Sequence, residues 1–286
     1  MGLLFAFIAL LCWGVGDFMI QRSARKIGSW AAMFFIGLMA SIILFPFIYK
    51  EIADTLIDGN NLFLLFTMSV VMLVASWLFF ESLRIGKISV IDPILAMELP
   101  VTVILALFIL REKINLEQGV LIIIIIGSIF LLSVKQFKNL HKIHLEKGVG
   151  LAMLAMAGMG IANFFFGVCA RETSPLMVVW FTSGFISIVT IITFIAQKRT
   201  HELFLNWCEN RKLLLSVGFI DNMAWIAFAY SVLYIPIAIA TSISESYVII
   251  AAGLGLYLNK ERLKKHQIIG LGACVIAVIF LAIITQ

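Results

Sequence analysis

Hydrophobic positions fall in long unbroken blocks, and polar positions are confined to the short gaps between them. Segments 27–49, 59–80, 173–197, 222–244 and 267–286 carry no formal charge at all. A membrane-crossing helix needs roughly 20 mainly apolar residues. The pattern predicts ten such spans: about 2–21, 29–49, 62–83, 87–110, 117–134, 147–169, 175–197, 213–234, 236–258 and 267–285. They are expected to be helices, because an open strand edge in lipid leaves backbone groups unsatisfied. The longest polar connections are 50–61, 135–146 and 198–212, and the four histidines (His141, His144, His201, His266) fall in predicted loops.

The blocks repeat. Residues 2–25 align without a gap onto 148–171, pairing Gly2 with Gly148, Ala6 with Ala152, Ala9 with Ala155, Gly14 with Gly160, Phe18 with Phe164, Ala24 with Ala170 and Arg25 with Arg171. Near the end of each half, EKINLEQ (112–118) answers ERLKKHQ (261–267). Five spans per copy is an odd number, so the second copy is inverted relative to the first. The predicted fold class is all-α: a polytopic membrane protein with ten transmembrane helices in two inverted five-helix repeats, 1–140 and 145–286. Secondary transporters share this plan, with the substrate site at the repeat interface.

Composition agrees with the pattern. Hydrophobic residues make up 62% and charged residues 13%, against about 25% charged in a soluble domain. The net charge of +5 does not call for nucleic acid as a partner, because basic residues gather in cytoplasmic loops of membrane proteins. Seventeen of the 21 Lys and Arg fall in loops after the odd-numbered spans. That bias puts those loops in the cytoplasm and both termini outside, in a cell (inner) membrane. Cys12, Cys169, Cys208 and Cys274 form no CxxC pair, so neither a disulfide framework nor a metal site is indicated. The first segment lacks a basic start and a cleavage site, and it recurs at 148–171, so it is expected to be a span and not a removable leader. No cofactor-binding motif appears, and no GxxxxGK[ST] loop, so ATP is not expected to drive the chain directly.

Several motifs resemble the EamA-type carriers of the drug/metabolite transporter superfamily. They are Trp13-Gly14 in the first span and the passage from Phe80 to Leu132. There a short polar turn leads into a span with Pro93 and Pro100, followed by Arg111-Glu112 and Gln118-Gly119. Glu112 recurs as Glu261. The resemblance covers the whole chain. It implies a central cavity from spans 1, 3, 4, 6, 8 and 9, peripheral packing by spans 5 and 10, and movement of amino acids, other metabolites or drugs. Family habit puts the termini in the cytoplasm, opposite to the Lys/Arg count.

Charge inside a span is the informative exception, since burying it in lipid costs at least roughly 2.5–3.5 kcal/mol. Asp17, Glu98, Asp221 and Glu245 are the deep acids, and no Lys or Arg occupies the middle of a span. Either they are protonated at rest or they meet a cationic substrate in a wet cavity; each is alternatively a carboxyl hydrogen-bonded to a neighbouring helix. Trp13 precedes Asp17 by one turn, Trp77 precedes Glu81, and Asp221 precedes Trp225. That spacing stacks an indole beside a carboxylate, an arrangement suited to an ammonium group. Trp77 and Glu81, near Arg84, read instead as interface residues, and Asp92 reads as shallow. Asp17 aligns with Asn163, an acid matched by an amide.

These readings give an expected substrate site of Trp13, Asp17, Glu98, Asn163, Asp221, Trp225 and Glu245, with Glu98 and Glu245 as proton carriers. Pro93 and Pro100 fall on one face of span four and are expected to bend it. Gly253 and Gly255 are expected to let span nine bend. The close pairs of small residues, Gly158 and Gly160 among them, read as helix packing. The expected function is a secondary carrier for a small molecule, an amino acid or a cationic or amine compound, working alone or as a homodimer in the lipid bilayer. An uncoupled facilitator or exchanger is the alternative. An intramembrane enzyme is a remote one, because no Ser/His, Cys/His, HExxH or paired-Asp motif is present.

Overall fold

A computed structural model describes residues 1–86, 91, 94–134, 147–250 and 264–285. Among them are ten α-helices and no strand: α1 (Gly2–Ile27), α2 (Ser29–Ile57), α3 (Gly59–Ile85), α4 (Glu98–Phe108), α5 (Leu116–Ser133), α6 (Val149–Glu172), α7 (Pro175–Ala196), α8 (Thr200–Tyr234), α9 (Ile237–Ser244) and α10 (Lys265–Ile284). Eight are long and apolar enough to cross a bilayer. The other two, α4 and α9, are the shorter helical pieces of spans four and nine.

Two expected loops turn out to be helix. α2 runs on to Ile57, leaving only Asp58 before α3, and α8 begins at Thr200. Polarity marks where the bilayer ends, whereas a helix continues as long as its backbone bonds and packing support it. Leu203 and Leu214, in the N-terminal part of α8, pack with Ala31, Phe35 and Phe194 in a small separate core. His201 and His266 therefore sit on helices; His141 and His144 lie outside the described residues.

Helix pairing shows the two-fold relation. α1 packs against α8 and α3 against α6, so the first helix of each half meets the third helix of the other. α2 packs on α7, α4 on α9, and α5 on α10. Two glycines matched by the repeat permit close approaches between helices. A Cβ on Gly14 would lie 2.6 Å from Cβ of Ile250, and one on Gly160 would lie 2.6 Å from Cβ of Val101. α1 thus presses on span nine as α6 presses on span four. The repeated glutamines are explained as well. Gln118 and Gln267 each reach back to accept a backbone N–H at the start of their own helix, from Asn115 (2.9 Å) and Lys264 (3.1 Å). Gln267 also donates to the Leu132 carbonyl across the α5–α10 pair (2.9 Å).

A carboxylate joins the halves at the Glu172 end of α6. Glu112 accepts hydrogen bonds from the backbone N–H groups of Ile237 (2.7 Å) and Ala238 (3.0 Å), capping α9, and pairs with Arg171 at 2.9 Å. Arg171 in turn donates to the carbonyls of Val232 (2.7 Å) and Ile235 (3.1 Å) at the end of α8. Its repeat mate Arg25 donates to the Gly86 carbonyl just past α3 (3.0 Å). Glu261, the mate of Glu112, lies outside the described residues.

Candidate functional site

Spans four and nine are both interrupted, and an acid stands at each interruption. In span four the chain makes a turn at Ala96 and Met97, and Glu98 opens α4. Pro100 then sits in the first turn of α4, where its missing N–H leaves no ladder bond unmade. It starts this helix and does not kink its interior, contrary to expectation. Pro93 and Asp92 lie outside the described residues, as do Gly253 and Gly255. In span nine, α9 gives way at Glu245 to a tighter 3-10 turn, Glu245–Tyr247. Ser242, Ser244 and Ser246 donate back to the carbonyls of Ala238 (2.7 Å), Ala240 (2.9 Å) and Ser242 (2.7 Å). Such back-bonding competes with the helix ladder and favours bending.

Between the halves lies a cavity of about 880 Å³, counting its open mouth. Trp13, Asp17, Glu98, Asn163, Asp221, Trp225 and Glu245 all line it. Its walls follow the repeat in the register that pairs Gly2 with Gly148. Trp13 matches Met159, Asp17 matches Asn163, Ile20 matches Phe166, Gly37 matches Ser183, Ser76 matches Asn222, and Phe79 matches Trp225, all of them lining residues. Pro100 is not among the lining residues.

Glu98 and Glu245 are each only 5% exposed and Asp221 8%. The Glu98 and Glu245 carboxyls come close enough to hydrogen-bond to each other. The Asn163 amide reaches Glu245 Oε1 at 3.5 Å. Among the described residues, Glu98 Oε2 and Asn163 Oδ1 are buried without a hydrogen-bond partner. Asp17 and Tyr247 lie near each other in the cavity wall. Among the described lining residues none is Lys, Arg or His, so four carboxyls share the cavity with no basic side chain. Buried carboxylates left in this way favour either a proton or a cationic guest.

Aromatic rings close one side of the cavity. Trp13 and Trp225 meet edge to face at 5.2 Å, Phe166 lies 4.8 Å from Trp225, and Phe228 lies 5.6 Å from Trp13. The third indole–acid pair is elsewhere. Glu81 is held by Arg84 and by the Ser29 hydroxyl (2.9 Å), and Trp77 lies beside Trp30 at 6.3 Å.

Several polar lining residues escape the sequence reading: Tyr247, Asn222, Ser76, Thr182 and Ser183. Tyr247, two residues beyond Glu245, and Asn222, adjacent to Asp221, are signalled only by proximity to acids. Asn222 donates to the carbonyls of Ile36 (2.9 Å) and Gly218 (2.7 Å), tying α8 to α2. Among the described residues no three His, Cys, Asp or Glu side chains are grouped to hold a metal ion.

The same helical plan occurs in known proteins. A solved crystal structure covers 99% of this chain and 97% of its own, with a TM-score of 0.72 at 9% identity, a likeness of fold alone. An uncharacterized protein of Methanocaldococcus jannaschii is 29% identical over 124 residues, which are 43% of this chain and 88% of that protein. That relative is therefore about half as long as this chain, close to one repeat. The sequence profile of the EamA-like transporter family matches twice, over residues 1–134 and 146–283. This chain is a multi-pass membrane protein that belongs to the EamA-like transporter family.

Proposed function

We propose that the chain is a secondary carrier of a small amine-bearing or cationic metabolite, amino acids included, working by alternating access with proton exchange. One observation carries the reading: Asp17, Glu98, Asp221 and Glu245 line one cavity without a basic lining side chain among the described residues. A substrate ammonium group sits between Asp17 and Asp221 and against the indoles of Trp13 and Trp225, where Coulomb and cation–π attraction add. Asn163, the repeat mate of Asp17, offers an amide to the polar end of an unsymmetrical substrate.

Glu98 and Glu245 carry the proton. When the substrate leaves, two adjacent carboxyls remain out of water, and sharing a proton relieves their repulsion. Substrate entry displaces that proton, so each ligand weakens the other's binding by the same factor. The interrupted spans four and nine provide the bending points, and the two halves rock about the cavity. The Lys/Arg bias orients the protein in the cell membrane with the loops after the odd-numbered spans in the cytoplasm.

Purified protein in proteoliposomes tests the reading. Substrate accumulates when an opposing pH gradient is imposed, and Glu98→Gln or Glu245→Gln removes that dependence while counterflow persists. Uptake indifferent to both the gradient and these substitutions overturns the coupling and leaves an uncoupled facilitator.

A further inference from the structure

A second cleft, unrelated to the acidic cavity, opens between the last turns of α1 and the N-terminal part of α8. It measures about 890 Å³ counting its open mouth, and Arg22, Lys26, Arg211 and Lys212 line it together with Glu209 and Asn210. We propose that this cleft holds the phosphate headgroup of an anionic diacyl phospholipid.

Charge and pairing favour an anion. Among the described lining residues, four cations converge on the cleft against the single acid Glu209. Among the described residues none of the four has an ion pair, whereas Arg84, Arg171 and Arg199 each have one. An anionic group with several acceptor oxygens satisfies a cluster of this kind through charge-assisted hydrogen bonds. Arg22 and Lys26 are one turn apart on α1 and so project from the same face.

The depth is that of a headgroup. The apolar run of α1 ends just before Arg22, and that of α8 begins just after Lys212. Trp207, stacked on Phe35 at 5.9 Å and 39% exposed, sits one turn before Arg211. Tryptophan concentrates at the membrane–water boundary. Below the cations each helix offers an apolar track at helical spacing. On α8, Leu215 and Phe219 follow Arg211 and are 47% and 58% exposed. On α1, Phe18 is one turn from Arg22 and 62% exposed. A phosphate in the cleft thus leaves two exposed apolar faces for two acyl chains. A free phosphate would use the cations alone.

Native mass spectrometry of the full-length protein, titrated with phosphatidylglycerol or phosphatidylcholine, tests the proposal, with thermal unfolding as a second readout. Phosphatidylglycerol is expected to be retained at least tenfold more tightly. R22Q/K26Q and R211Q/K212Q should each weaken retention roughly 30-fold, the usual worth of two basic residues at an anionic surface. L215A/F219A should weaken it with the cations intact. K264Q/K265Q, on the same membrane side at the start of α10, should change nothing. Equal retention of the two lipids overturns the proposal. So does an equal loss in the control pair, which would mean diffuse surface charge, or equal protection by inorganic phosphate, which would mean a free-anion site.

Discussion

α1 and α6 each put three residues into the cavity in one register: Trp13, Asp17 and Ile20 on one wall, Met159, Asn163 and Phe166 on the other. Position is shared and chemistry is not. Elsewhere the halves have stayed alike. Gly14 and Gly160 make equivalent helix contacts, Gln118 and Gln267 make equivalent caps, and Glu98 and Glu245 stand at equivalent interruptions. What packs the helices, and what interrupts spans four and nine, is present in duplicate. What faces the cavity from α1 and α6 has diverged, giving an acid with an indole on one wall and an amide with a phenyl ring on the other. A ligand with two different ends fits such a chamber better than a symmetrical one.

The largest expected effect comes from breaking the matched pair. Glu98→Gln or Glu245→Gln should lower gradient-driven accumulation about 100-fold or more, the worth of about 3 kcal/mol for a hydrogen-bonded charge, read as proteoliposome flux at fixed substrate. Next is the diverged pair. Asp17→Asn makes the two walls alike and should raise the apparent KM roughly 10- to 100-fold, the worth of one hydrogen bond to a charged group. Adding Asn163→Asp to that variant moves the acid to the other wall. If side matters, it should restore much less than the original affinity.

Stability should separate matched positions from open ones. Gly160→Ala drives a Cβ into Val101 and should cost about 1–3 kcal/mol, read by denaturant unfolding in detergent. Gly150→Ala, with nothing within 4 Å of the added Cβ, should be close to neutral. Glu112→Gln leaves the cap on α9 and the Arg171 guanidinium without their carboxylate and should cost about 1.5–3 kcal/mol. The smallest effect on transport is expected from Trp13→Phe, a few-fold rise in KM for a cationic substrate, since phenyl is a weaker cation–π partner than indole.

Much of this arrangement was legible in the sequence because membranes make exceptions visible. A carboxyl inside an apolar run stands out, and seven residues picked mainly on that basis line one cavity. The repeat was legible because its glycines and alanines sit where helices touch. Other features carried no such mark. Nothing in residues 198–212 separates a loop from a helix projecting past the bilayer. Tyr247 and Asn222 are ordinary polar residues whose place depends on how α8 and span nine are turned. Pro100 reads as a kink until the chain is seen to break before Glu98, which puts the proline in a first turn. The crossing partnership of α1 with α8 and α3 with α6 depends on contacts that no local pattern records.

That crossing partnership sets an order for biogenesis. Spans emerge from the ribosome one after another, so α1 and α2 enter the bilayer long before α8 and α7 exist. Asp17 and Glu98 must wait in the nascent chain without Tyr247 and Glu245. The first half therefore cannot finish folding until the second has been synthesised, and a truncated product would present its unfilled seams to quality control.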